Sequence, residues 1–291
     1  MSIRNNEDRF SAPQPDTDPP IDILEEEPLG PNPFSFVVPT EFVDLPSRGE
    51  FYSSTHPLHG TETIEIKYMT AKEEDILTSQ SLLEKGLALD RLMANLIVDK
   101  RIKPDTLLSG DRNAILIAAR KSGYGSDYTT KVTCPSCGES DTQNYNLDEA
   151  VTSLVPEHEE LAELNVSRTA DGNFSVELEK NPVTVEFRLL TGREETYMLR
   201  NSEKRKKKKL QEQLITDQLK LMILSINGYN DKELLEKFVD TMALTDAKIL
   251  RKAAQQVTPN IELRKEFVCD QCGHEDEIEF PFTVDFFWPQ S

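Results

Sequence analysis

All four cysteines of the chain fall in two short stretches of one form. One is Lys131-Val132-Thr133-Cys134-Pro135-Ser136-Cys137-Gly138 and the other is Glu266-Phe267-Val268-Cys269-Asp270-Gln271-Cys272-Gly273. In each, a strand-like run leads into C-x-x-C-G. That order makes a tight turn whose two thiolates face one point, with the glycine easing the backbone into the next strand. One turn supplies two ligands, whereas a structural zinc ion takes four. Cys134, Cys137, Cys269 and Cys272 therefore predict one shared four-cysteine zinc site, a zinc ribbon assembled from two knuckles. The same residues also admit free buried thiols, two disulfides, or two separate sites completed by other ligands. His274 follows the second turn, but the first has no matching histidine. Disulfides suit the chain least, because C-x-x-C bridges are strained and the N-terminus lacks the apolar stretch of a signal peptide, which implies a cytosol-like compartment.

No catalytic constellation accompanies the cysteines. The phosphate-binding, dinucleotide-binding, H-E-x-x-H and G-x-S-x-G patterns are missing from the sequence. His56 and His59, three apart in a Pro/Gly loop, read as surface residues. Four thiolates leave no open coordination position, so a zinc hydrolase is disfavoured. The chain is not expected to be an enzyme.

Something must bring the two turns together. Roughly 135 residues separate them, against the few tens of an ordinary ribbon. An internal similarity offers the means. Ile64-Glu65-Ile66-Lys67-Tyr68-Met69-Thr70-Ala71-Lys72-Glu73-Glu74 matches Val185-Glu186-Phe187-Arg188-Leu189-Leu190-Thr191-Gly192-Arg193-Glu194-Glu195 class for class. Leu108-Ser109-Gly110-Asp111 with Ala118-Ala119 matches Leu244-Thr245-Asp246 with Ala253-Ala254. Each half reads strand, helices, strand, cysteine turn, strand. The expectation is an α+β protein duplicated in tandem, its halves packed about a pseudo-twofold axis and joined by one zinc.

The boundaries follow. Residues 1–33 form an acidic, proline-rich arm expected to be disordered, with Ile21-Asp22-Ile23-Leu24-Glu25-Glu26-Glu27 as an apolar-acidic patch. Residues 34–150 are the first half, 151–172 a linker and 173–291 the second half. Thr70 with Glu73 and Thr191 with Glu194 are capping boxes. After the first, the apolar spacing predicts two helices broken near Gly86, then a helix from Ser109 or Asp111 to Gly123. Strands over 127–134 and 142–147 flank the first cysteine turn. A hairpin closes around Lys180-Asn181-Pro182. One long helix should run from Thr191 to Asn227-Gly228, then two more over 231–239 and 245–256, and strands over 261–268 and 277–280. The aromatic end Phe282-Thr283-Val284-Asp285-Phe286-Phe287-Trp288-Pro289 should pack on its own fold or insert into another subunit.

The chain has 291 residues and a net charge of −19, from 52 acidic and 33 basic residues. That balance argues against nucleic acid as the main partner, because gripping phosphates needs a basic face. No apolar run is long enough to span a membrane. One local inversion stands out: Lys204, Arg205, Lys206, Lys207, Lys208 and Lys209 in succession. Six residues wrap more than a helical turn, so they cannot be buried in their own core. They read as a solvated face, as an electrostatic dock or, least of the three, as a contact to DNA or RNA.

The stretch Leu45-Pro46-Ser47-Arg48-Gly49-Glu50-Phe51-Tyr52, followed by Ile64 through Leu77 with Thr70-Ala71-Lys72-Glu73-Glu74-Asp75-Ile76-Leu77, resembles the baseplate protein family of T4-like contractile-tailed bacteriophages. The resemblance runs from about residue 40 to 150 and reaches the second half through the repeat. It implies a structural component of the baseplate hub, made in the host cytoplasm and carried in the virion tail, whose partners are other baseplate and tail hub proteins. It implies no catalytic residues. Two alternatives stay open: a transient hub assembly chaperone absent from the mature virion, and a zinc-ribbon nucleic-acid binder.

Overall fold

Thr40–Asp44 (β1) and Thr63–Lys67 (β2) pair antiparallel and turn Val43, Ile64 and Ile66 into the core. They belong to a computed structural model that describes residues 37–83, 85–279 and 284–287; the arm expected over 1–33 lies outside the described residues. The loop between the two strands is tight at Gly49, where φ is +71° and a Cβ would lie 2.3 Å from the Leu58 carbonyl. Only glycine fits there.

β2 passes into Ala71–Thr78 (α1) through the expected capping box. The Thr70 hydroxyl and N–H both donate to Glu73 Oε2, at 2.5 and 2.9 Å. Helical structure continues as Gln80–Leu83 (α2) and, beyond Gly86 at φ +63°, Ala88–Leu96 (α3). The expected two helices are thus three pieces. Ser109–Tyr124 (α4) outlasts its expected end at Gly123, because the left-handed residue that closes it is Gly125, φ +82°.

Asp127–Thr133 (β3) and Ser140–Asn146 (β4) form the first cysteine hairpin. The stretch expected to link the halves is itself structured: Val151–Ser153 (β5), His158–Glu163 (α5) and Val166–Arg168 (β6). Phe174–Glu177 (β7) and Thr184–Phe187 (β8) make the expected hairpin around Lys180-Asn181-Pro182, and β6 adds to its edge.

Thr191 repeats the capping box with Glu194, again at 2.5 and 2.9 Å, and starts Gly192–Lys207 (α6). The single long helix expected to reach Asn227-Gly228 is instead α6, then Leu214–Met222 (α7), then a strand, Ile223–Ile226 (β9), paired with β8. α6 stops because Lys209 takes φ +56°. Its N–H reaches the Lys206 carbonyl at 3.0 Å and that of Leu210 reaches Arg205 at 2.9 Å, a Schellman closure. The basic run meets the carbonyl end of the helix, where positive charge is favoured. β9 is not legible as a strand because four residues, Ile223-Leu224-Ser225-Ile226, are too few to show a period.

Lys232–Thr241 (α8) and Leu244–Val257 (α9) follow. The strand expected over 261–268 is two: Asn260–Glu262 (β10), which pairs with β5, and Arg264–Val268 (β11), which pairs with Glu275–Glu279 (β12). Leu263, fully buried, separates them. Of the aromatic end, Phe286 and Phe287 are described and fully buried. The Phe286 ring packs edge-on to Tyr128 at 4.9 Å, and its carbonyl accepts from Arg120 Nε at 3.1 Å. For these two residues the reading as an insert into another subunit is overturned. The other aromatics of that end, Phe282 and Trp288, lie outside the described residues.

Two aspartates tie helices to hairpin loops. Asp111 and Asp246 are each the third residue of their helix, α4 and α9, and each is fully buried. Asp111 accepts from the Ser47 N–H at 3.0 Å, the Ser47 hydroxyl at 2.5 Å and the Tyr52 hydroxyl at 2.6 Å, which pins the loop after β1. Asp246 accepts from the N–H groups of Lys180 and Asn181, both at 3.0 Å, which pins the turn after β7. Burial holds the Asp111 carboxyl above its ordinary range, against hydrogen bonds that favour the charge. Asp111→Ala should cost about 3 kcal/mol, because its donors are buried. Asp246→Ala should cost less, because its turn is exposed and water can replace the carboxylate. Urea unfolding of the two variants checks the order.

Candidate metal centre

β3 delivers Cys134 and β11 delivers Cys269, and the two turns that follow are built alike. The Cys134 N–H donates to the Glu139 carbonyl at 2.8 Å, and the Gly138 N–H to the Cys134 carbonyl at 2.9 Å. The Cys269 N–H donates to the His274 carbonyl at 2.9 Å, and the Gly273 N–H to the Cys269 carbonyl at 2.8 Å. Gly138 and Gly273 take φ +76° and +68° with open space around them, so backbone conformation rather than room calls for glycine. Lys265 on β11 donates to the Asn144 carbonyl on β4 at 2.7 Å, which ties one hairpin to the other.

The two turns meet. The Sγ atoms of Cys134, Cys137, Cys269 and Cys272 all lie within 4.8 Å of one another. Two pairs cross between the turns at 3.7 Å: Cys134 to Cys272 and Cys137 to Cys269. Four sulfurs at about 2.3 Å from a tetrahedral zinc stand about 3.8 Å apart, so the spacing fits that ion. A disulfide would need about 2.05 Å, and all four are free thiols. The separate-site reading is overturned, because one point is within reach of all four and His274 is not in the cluster. Cys134 and Cys269 are buried, and Cys137 and Cys272 form the exposed side.

The electrostatics are compatible with a bound cation. Backbone N–H groups of Cys137 and Ser136 lower the Cys134 pKa to about 6 despite burial. The Glu139 N–H favours the Cys137 thiolate, but burial and the three neighbouring thiols outweigh it and push that pKa up to about 12. Once one thiol is charged, the next resists. A divalent ion lifts that conflict, because a coordinating thiol is held deprotonated. An ion held by all four sulfurs would have no position left for water or substrate.

The other singled-out residues lie elsewhere. His56 stacks on Tyr52 at 4.4 Å and bonds Thr106 Oγ1 at 3.0 Å, while His59 bonds the Tyr52 carbonyl at 2.7 Å. Both serve the β1–β2 loop. Lys204 to Lys209 form the last turn of α6 and its cap, exposed except for half-buried Arg205. Sequence reasoning placed Asp111 and Asp246 in a repeat, and Asp111 also at a helix start, without a tertiary role for either. Their shared offset from a helix start was the available signal for a loop-pinning role.

The model of the T4 bacteriophage base plate protein family matches residues 40–288, which include all four cysteines. The match spans most of the chain, so the chain belongs to the T4 bacteriophage base plate protein family. No curated protein and no solved structure matches it. Membership makes it a bacteriophage base-plate protein, and among the described residues no helix is long and apolar enough to cross a membrane.

If the cluster holds a metal, Cys137→Ser and Cys272→Ser should destabilise the protein by similar amounts, on the order of 3 kcal/mol. A chelator should lower the unfolding midpoint of the unsubstituted protein and leave both variants nearly unmoved. Thermal unfolding with and without chelator is the check.

Proposed function

We propose that the chain is a non-catalytic building block of the hub of a contractile-tail base plate. Its two similar halves, 34–150 and 173–291, are joined by 151–172 and clasped by one zinc ion on Cys134, Cys137, Cys269 and Cys272. The observation that carries the reading is the family match over 40–288. The four-sulfur cluster supports the clasp.

Several matched details support a duplicated origin. β2 enters α1 and β8 enters α6 through identical Thr-Glu boxes. After α3 the chain returns to β2, where Ile97 bridges Ile66, and after α7 it returns to β8 as β9. Asp111 and Asp246 pin the preceding hairpin loops from equivalent helix positions.

In this reading the protein is made in the host cytoplasm, ends in the virion tail, and binds other base-plate and tail hub proteins. Lys204 to Lys209 give neighbours an electrostatic dock. Neither a membrane nor nucleic acid is its target, and the net charge of −19 favours neither.

Mass spectrometry of purified particles tests the reading. The expected result is this chain in finished virions in a fixed ratio to other base-plate proteins. Its presence in assembly intermediates but not in finished particles would replace the reading with a departing hub chaperone.

A further inference from the structure

α6, α7 and α9 border a surface groove away from the cysteine cluster. Its floor is apolar: Met198 and Leu199 from α6, and Leu214 and Ile215 from α7. Leu199, Leu214 and Ile215 are 62%, 45% and 51% exposed. The hollow over them measures about 400 Å³ and is edged by Glu195 and Gln218. Gln218 also borders the next hollow, whose wall is Lys248, Arg251 and Lys252. One residue thus joins an apolar floor to a basic wall.

The wall is arranged for a charged partner. Lys248, Arg251 and Lys252 stand three and four positions apart, which places them on one face of α9. All three are exposed, and none belongs to an ion pair or hydrogen bond among the described residues. The one carboxylate at the floor, Glu195, is engaged elsewhere, by the Ser109 hydroxyl and by Arg112 at 3.7 Å. In a chain of net charge −19, three unspent cations beside three exposed large aliphatic side chains invert the local character of the surface.

We propose that this groove receives an acidic amphipathic helix of a neighbouring protein. Its apolar stripe lies on Leu199, Leu214 and Ile215, and its carboxylates face Lys248, Arg251 and Lys252. Helix-in-groove recognition combines these two features. The floor disfavours nucleic acid, since it offers no aromatic ring on which a base could stack and nothing to a phosphate. A second copy of this chain is opposed by the repulsion between two strongly acidic molecules. The proposal deepens the base-plate reading by giving it a surface and a class of partner.

The test uses the full chain and a labelled synthetic peptide, helical, with leucines at helical spacing and glutamates flanking them. Fluorescence anisotropy should show binding that weakens as salt is raised. Leu214→Ser with Ile215→Ser should cut the affinity about tenfold or more. Charge reversal of Lys248, Arg251 and Lys252 to Glu should do the same and remove most of the salt dependence. These side chains are exposed, so unfolding midpoints should stay put and confirm that the variants fold. No binding, equal binding of a scrambled peptide, unchanged affinity in the variants, tighter binding of a DNA duplex, or self-association lost with the Leu214 and Ile215 changes would each overturn the proposal. A chain found in purified particles whose groove ignores the peptide keeps the base-plate reading and loses this one.

Discussion

Everything at the cysteine end of the molecule depends on four sulfurs converging on one point. β3–β4 and β11–β12 are each a hairpin of only two strands, and such hairpins are marginal in water. Few of their side chains reach the core; Tyr128, Val132, Tyr145 and Phe267 do. The cross-bond from Lys265 to Asn144 adds one link. A bound ion would turn two marginal hairpins into one ribbon, because its binding energy becomes folding energy. Without it, four crowded thiols offer mutual electrostatic resistance instead of a bond.

That convergence constrains the chain between the turns. Strands from distant parts of the sequence must end side by side, so whatever lies between must return the second hairpin to the first. β5 and β10 contribute directly: they pair just after the first cysteine hairpin and just before the second. The capping boxes and the two buried aspartates fix where helices leave their hairpins, which sets the direction of each return. Local hydrogen bonds of this kind recur at Thr70 and Thr191 and at Asp111 and Asp246.

Much of this was legible in the sequence where the signal is local and chemical. C-x-x-C-G named the cluster, Thr-x-x-Glu named two helix starts, and Lys180-Asn181-Pro182 named a turn. Elements that depend on distant partners were not legible. β5 is three residues long and exists because β10 lies beside it. β9 read as the tail of a helix because its three apolar residues, Ile223, Leu224 and Ile226, follow directly on the apolar residues of α7. The break after α6 rests on Lys209 adopting a left-handed conformation that its residue type does not advertise. Asp111 and Asp246 looked like ordinary helix-start acids, since burial and long-range donors leave no local mark.

The surface carries the division of labour expected of a base-plate subunit. The chain is acidic overall, and the basic end of α6 and the basic-walled apolar groove stand out against that charge. The shared metal is the claim beneath this account, and metal analysis of the purified full chain combined with X-ray absorption at the metal edge tests it most directly. The account predicts one zinc per chain with four sulfur neighbours at about 2.3 Å. No metal, two ions per chain, or a shell of nitrogen and oxygen would contradict it.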